Sequence, residues 1–304
     1  MRLGLPTLRR ATLKRRTLED VIVDAVVWIV MIGFSVSVIY PFWTMLIDSF
    51  STPENVYSVG FRLWPRPATF EAYRDVLSKD TVGIAYYNTV LRTVAGTLVT
   101  LFVSFSAAYA LARRTLPLNK TITLLMIFTM FFSGGLIATY LWMGQMGLHN
   151  NRLALILPPA ASAYYIIIMR NFFRAIPPEL EESAFIDGAS AYTVLLRIIV
   201  PVSMPVVATI ALWSAVFHWD SWFDALLYTP KREQLVLQLM LRRILIEHQA
   251  SNLFDLSVDE LESSFVVETI KAATLYIAIG PIILLYPFLQ RYFVKGIMTG
   301  SLKG

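Results

Sequence analysis

The chain has 304 residues, of which 56% are hydrophobic and only 15% charged, and it contains no cysteine. Soluble domains carry roughly 25% charge, so an ordinary soluble fold and a disordered chain are excluded, as are a disulfide scaffold, an iron–sulfur or cysteine-ligated metal protein and a thiol enzyme. The net charge of +5 does not signal nucleic acid, because six basic residues fall within the first 20 positions, where they orient a membrane helix and meet anionic headgroups.

A bilayer core of about 30 Å takes about 20 helical residues. Six stretches qualify, which predicts an all-α membrane protein with six transmembrane helices spread over residues 21–290. A basic tail, residues 1–20, precedes the first span, Ala25 to Ile47, which is uncharged for 23 residues and carries Trp28, Tyr40 and Trp43 as interfacial aromatics. The segment 48–85 follows, with Trp64-Pro65-Arg66-Pro67 as a turn-rich cap. The second span, Tyr86 to Ala112, is interrupted only by Arg92, which is expected to snorkel to the near interface. The third, Thr121 to Leu148, contains Ser133-Gly134-Gly135 near its middle, a signal for a kink or a close helix contact. The fourth, Leu153 to Met169, opens on Pro158-Pro159, and the fifth, Ile198 to Phe217, on Pro201 and Pro205. Segment 218–264 follows, with an amphipathic helix expected over Leu235 to Ile246 and an acidic stretch of Asp255, Asp259, Glu260 and Glu262. The sixth span, Phe265 to Leu289, has Glu268 and Lys271 near its start, three apart and able to pair. Residues 291–304 form a tail.

Lys and Arg number 15 in the segments that share a side with the N-terminus and 9 in the others. The positive-inside rule therefore puts both termini in the cytoplasm, with loop 170–197 on that side and segments 48–85 and 218–264 outside. The first span exceeds the 7 to 15 apolar residues of a cleaved signal peptide, so an uncleaved anchor is expected. A mitochondrial transit peptide is the weaker alternative, motivated by 18 acid-free, Arg-rich residues.

The most informative segment joins the fourth and fifth spans: Arg174-Ala175-Ile176-Pro177-Pro178-Glu179-Leu180-Glu181-Glu182-Ser183-Ala184-Phe185-Ile186-Asp187-Gly188-Ala189-Ser190. Pro177 and Pro178 suit a helix start, and Glu179, Glu181 and Glu182 fall in the first turn, where the positive dipole end favours anions. A short helix ending at Gly188 is expected. Ala184 and Gly188 lie four apart and give a small-residue patch that lets another surface approach the backbone, with Leu180 on the same face one turn earlier. The competing reading is an amphipathic helix lying on headgroups, against which three carboxylates with little basic charge argue.

Glu182-Ser183-Ala184, three residues, Gly188, nine residues and Ile198-Ile199-Val200-Pro201 resemble the EAA signature of permease subunits in bacterial ATP-binding-cassette importers. That signature runs Glu-Ala-Ala, three residues, Gly, nine residues, Ile-x-Leu-Pro; Ser183 and Val200 are small departures. Ser133-Gly134-Gly135-Leu136-Ile137, Asn171-Phe172-Phe173, Pro178-Glu179-Leu180, Ile186-Asp187-Gly188-Ala189 and the tail Gln290 to Gly304 are similar to the oligosaccharide branch, which contains the smaller maltose-importer permease. Within that branch the likeness is nearest to complex-polysaccharide and uronate-oligosaccharide permeases.

The resemblance implies a cytoplasmic coupling helix between the fourth and fifth spans, docked in a cleft of an ATPase subunit. Leu180, Glu182, Ser183, Ala184, Asp187 and Gly188 are its expected coupling residues, and Lys295, Gly296 and Gly300 of the tail are expected to reach the ATPases. Implied partners are a second homologous permease, two ATPase subunits, an extracytoplasmic solute-binding protein and membrane lipid. The chain is then a transport subunit without a catalytic site or cofactor of its own, ATP and magnesium being bound by the ATPases. In agreement, it has no G-x-x-x-x-G-K-[ST] phosphate loop. The expected location is the bacterial plasma membrane.

Trp219, Asp220 and Trp222 give a second candidate, a sugar-stacking and hydroxyl-bonding stretch at the end of the fifth span. Interfacial packing explains the same aromatics, and relatives often carry Trp-Asn where Trp219-Asp220 stand. His149, His218 and His248 show no metal spacing. A self-contained ion-coupled secondary transporter is the competing function, disfavoured by the absence of a visible repeat and the sparse central charges. A membrane enzyme ranks third, for want of a catalytic constellation.

Overall fold

The computed structural model describes residues 18–52, 55–56, 62–65, 67–113, 115–251 and 268–284. Among these the architecture is all-helical, with a single isolated bridge between Ser51 and Ala68. Residues 1–17 of the basic tail, the acidic stretch at 255–262 and the C-terminal tail with Lys295, Gly296 and Gly300 lie outside the described residues.

Helix α1 runs Leu18–Ser49 and α3 runs Asp80–Ala112, with a short α2, Glu71–Leu77, between them. Two helices, α1 and α3, are each long and apolar enough to cross a membrane among the described residues, and three bent pairs raise the number to as many as five. From Leu18 to Trp43, α1 stays exposed on every side, the surface of a helix whose solvent is hydrocarbon. It meets the remainder of the protein at its C-terminal end, where Tyr73 of α2 lies 2.9 Å from the Ser49 hydroxyl. Burial raises the Tyr73 phenol pKa, which keeps the group neutral.

The three bent pairs follow from particular residues. Helices α4, Asn119–Phe131, and α5, Gly135–Gln145, turn through 112° at the Ser133-Gly134-Gly135 break. Phe132 is extended there, and Gly135 sits at φ +81°, a conformation that costs L residues dearly. The expected kink is thus a corner, and the third stretch is two helices. A 3-10 turn, Arg152–Leu155, the short α6, Leu157–Ala160, and α7, Ala163–Arg174, form a second pair bent by 44°. The third begins earlier than expected, with α9, Ala191–Val194, a π turn, Leu195–Ile199, and α10, Val200–Val202, before α11, Met204–Asp220. Pro201 and Pro205 each remove a backbone donor, and the chain turns 75° around Ser203.

The buried positions of α3 include Ala85, Thr89, Arg92, Gly96, Thr100, Ser104 and Ala108, a stripe at helical spacing made largely of small residues. Val206, Ile210, Ser214 and His218 form the matching stripe on α11. Small residues let such backbones approach closely. A Cβ on Gly96 would stand 2.4 Å from the His218 ring, so glycine is the residue that admits this histidine. One hydrophobic core gathers around the N-terminal half of α3 with Trp219, Leu237 and Ala273. A second gathers around its C-terminal half with Met169, Val194 and Ile210.

Arg92 does not snorkel. It is 2% exposed and forms an ion pair with Asp224 on α12, Phe223–Tyr228, and its Nη1 also donates to the Ser221 carbonyl at 3.1 Å. The carboxylate and the carbonyl offset the cost of burying the guanidinium, although its Nε stays without a hydrogen-bond partner. After α12 comes a 3-10 turn, Arg232–Gln234, and α13, Leu237–Ser251, close to the expected amphipathic helix. The last described helix, α14, covers residues 268–284 and begins with the Glu268–Lys271 pair at 2.7 Å.

Candidate functional site at the α7 to α9 connection

Between α7 and α9 lies α8, Glu179–Ile186. Pro177 and Pro178 stop α7 from continuing, Pro178 takes helical angles (φ −64°, ψ −23°), and the three glutamates occupy the first turn, as electrostatics requires. The end is equally determined. Gly188 adopts φ +82°, the Gly188 amide donates to the Phe185 carbonyl at 3.1 Å and the Ala189 amide to the Ala184 carbonyl at 2.9 Å. This pair of reversed bonds is the Schellman closure. No atom lies within 4 Å of where a Gly188 side chain would begin. The glycine is therefore required by backbone geometry and leaves an open surface beside it.

Leu180, Glu182, Ser183, Asp187 and Gly188 are exposed. Ala184 is half-buried against the inner core, so the small-residue patch turns partly toward the bundle. Exposed apolar groups not singled out from the sequence extend the surface: Phe185 at 42%, Ile186 at 85% and Tyr192 at 79% exposure. Their signal was available, since an apolar side chain beside three carboxylates on a short helix has no core to fill.

Among the described residues, one ion pair ties α8 to the bundle through side chains, Arg113 Nη2 to Glu181 Oε2 at 2.7 Å. Beneath it is a cavity of about 580 Å3, walled by Tyr109, Phe173, Ile176 and Phe185 and edged by Arg113 and Glu182. The neighbouring helix ends are stapled together. Asn119 Nδ2 donates to the carbonyls of Leu111 and Arg113 at 2.9 and 3.0 Å, and Arg174 Nη2 donates to Leu111 O and to Asn119 Oδ1, both at 3.2 Å. These side chains satisfy carbonyls that the end of α3 leaves without helical partners. On the far side of α8, Ser190 caps α9 by accepting from the Thr193 amide at 3.3 Å.

The second candidate lies at the end of α11. Trp219 is 7% exposed, its indole N–H donates to Ala278 O at 3.0 Å, and Tyr86 packs edge-on against it with ring centroids 5.9 Å apart. Its ring packs between α11 and α14. Asp220 is exposed and accepts from Gln238 Nε2 at 3.5 Å. Trp222 lies under the Arg242 guanidinium, 3.6 Å from the ring centroid. All three therefore lie beside α13, Trp219 in the shared core and Asp220 and Trp222 toward the surface.

Residues 81–299 match the family described as binding-protein-dependent transport system inner membrane component. The chain is 38% identical over 281 residues to the polygalacturonan/rhamnogalacturonan transport system permease protein YtcP of Bacillus subtilis (strain 168), with 92% of this chain and 98% of that protein covered. Protein LplC of the same organism is 41% identical over 273 residues, covering 90% of this chain and 92% of that one. Among solved structures, a chain from the crystal structure of a bacterial ABC transporter involved in the import of the acidic polysaccharide alginate superposes with a TM-score of 0.82. It is 29% identical, with 91% of this chain and 98% of that chain covered.

Proposed function

The chain belongs to the family of binding-protein-dependent transport system inner membrane components, and from that premise we propose that it forms half of the pathway by which an acidic oligosaccharide enters a bacterial cell. Family membership makes it a permease component of an ATP-binding-cassette import system, a transport subunit and not an enzyme. The finer reading is that six spans cross the plasma membrane with both termini in the cytoplasm, and that α8 is the coupling helix between the fourth and fifth. A second homologous permease completes the pathway, two ATPase subunits bind ATP and magnesium and drive it, and a solute-binding protein delivers the substrate. The chain needs no cofactor of its own. The uronate-containing substrate class is supported by the names of two relatives, one a polygalacturonan/rhamnogalacturonan permease and one an importer of alginate.

The observation that carries the coupling role is the form of α8. It is a helix closed by its own Gly188, joined to the bundle, among the described residues, through one side-chain ion pair and leaving Leu180 and Ile186 exposed. Glu182, Ser183 and Asp187 border that exposed surface, and Ala184 supports it from beneath. Lys295, Gly296 and Gly300 belong to the same reading as tail contacts with the ATPases, and Trp219, Asp220 and Trp222 as the residues nearest the solute path.

Reconstitution of the complete transporter in vesicles tests the proposal. Gly188→Asp and Glu182→Lys should leave the protein inserted and the ATPase active while uptake falls at least about tenfold, the ratio that roughly 1.4 kcal/mol of lost coupling produces. Normal uptake by both variants, or proton-driven uptake by this chain alone, would sink it.

A further inference from the structure

Beside the cavity under α8 lies a second groove, of about 460 Å3, between α4 and α7. Its charge is one-sided. Lys120 from α4 and Arg170 and Arg174 from α7 line it, with no carboxylate among the lining residues. The first cavity differs in this respect, since Glu181 and Glu182 face Arg113 and Arg174 there. Arg170 and Arg174 stand four apart on one helix, so their like charges meet on one face and destabilise it. Nor is Arg170 relieved by the protein: its Nε is buried without a hydrogen-bond partner. A buried donor without an acceptor is costly, more so on a charged group, and three cations around a space lined by no carboxylate call for an anion.

The apolar part of the groove says which kind. Lys120, Leu124 and Ile127 stand at positions i, i+4 and i+7 of α4, one stripe that passes from a cation to hydrocarbon along the helix. Leu124 is 65% and Ile127 37% exposed, and α4 buries none of its residues, so the groove opens sideways along a lipid-facing helix. That order, charge at the interface and apolar wall beneath, is the order of a phospholipid. This chain's own tails do not fit, because residues 1–18 and 291–304 contain no Asp or Glu. The acidic stretch at 255–262 belongs to the opposite side of the membrane in the topology proposed above, on which this assignment rests.

We infer that the α4–α7 groove holds the phosphate of an anionic phospholipid from the cytoplasmic leaflet, gripped by Lys120, Arg170 and Arg174, with an acyl chain along Leu124 and Ile127. Basic pockets between transmembrane helices on that side recognise anionic headgroups in this way. Arg170 supplies the donor that the protein leaves unused, and Arg174, whose Nη2 is engaged with Leu111 and Asn119, links the bound lipid to the end of α3.

The test is lipid retention by the assembled transporter, followed by native mass spectrometry with phosphatidylglycerol and phosphatidylcholine of matched chains as probes. The wild-type complex should retain phosphatidylglycerol in preference, and Lys120→Gln combined with Arg170→Gln should cut that preference about thirtyfold, as expected for two lost cations at the membrane surface. Arg170→Lys, which keeps the charge and guards against a folding defect, should restore most of the preference when Lys120 is intact. Equal retention of both lipids, an unchanged preference in the double variant, or displacement of phosphatidylglycerol by inorganic phosphate would each overturn the assignment, the last by marking a site for a free anion. ATP-driven uptake by the same preparation separates the two readings. Uptake without lipid preference removes only the groove's occupant, and lipid preference without ATP-driven uptake supports the groove while removing the transport reading.

Discussion

The two ends of α3 are held by opposite means. Toward its start, Arg92 is 2% exposed and paired with Asp224, and Asn88 donates to the carbonyls of Glu233 and Leu235 at 2.8 and 3.0 Å. Arg152 closes this knot from a third element, donating to Asn88 Oδ1 at 3.0 Å. About 30 Å along the helix, Arg113 is 41% exposed and reaches a single carboxylate, Glu181, itself 21% exposed. At one end the buried side chains Arg92 and Asn88 are fastened to distant parts of the chain. The other is a solvated contact that forms and breaks at little cost. A transporter that alternates between two access states needs both kinds of joint, a fixed end to preserve the bundle and a yielding end where force enters.

Substitutions can break that contrast, beginning at the fixed end. Arg92→Ala leaves Asp224 without its partner beside a buried space and is expected to destabilise the protein by about 3 to 5 kcal/mol. Thermal unfolding of the purified complex reads this directly, and a loss below about 1 kcal/mol would mean that the pair is solvated after all. Next in size is Gly96→Ala, which forces the His218 ring from its place and should cost about 1 to 3 kcal/mol. Adding His218→Ala makes room for the new methyl group. The double variant should therefore be more stable than additivity of the single changes allows, and strict additivity would show that the ring moves aside freely. The smallest effect on stability belongs to the yielding end. Glu181→Gln or Arg113→Gln should change stability by less than about 1 kcal/mol. Uptake coupled to ATP hydrolysis is the sensitive readout there: reversal of either charge should lower it, and exchange of both (Arg113→Glu with Glu181→Arg) should restore it. Equal uptake in the single and double reversals would dismiss the pair as a mechanical link.

What could be read from the sequence follows the range of the interactions involved. The limits of α8 were legible because their causes lie within the segment: two prolines, a first turn of glutamates and a glycine at the reversed closure. The end of α3 at Ala112 and a helix starting near Leu237 were legible for the same reason, through local composition, but the start of α3 at Asp80 was not, because polar residues open it. Arg92 was misread because its partner stands 132 residues away, and spacing along the chain carries no sign of a contact that only the fold creates. The corner at Gly135 was half legible, since glycine announces freedom of φ but not the angle adopted. Trp219 and Trp222 are nearly adjacent in sequence, yet one is core and the other lies under Arg242, a distinction set by the helices that arrive against them. The lipid groove was hidden altogether, because Lys120 and Arg170 belong to separate helices and were first counted only as loop charges.

The closure at Gly188 has a thermodynamic consequence. Fixing a backbone costs roughly 1 to 2 kcal/mol per residue in conformational entropy, and a loop that became helical only on meeting its partner would subtract that cost from the affinity. Here the Phe185 and Ala184 carbonyls are satisfied by the chain itself, so the eight residues of α8 are ordered before any partner arrives. The entropy was lost in folding, so a partner that met α8 would not have to order the helix each time it bound.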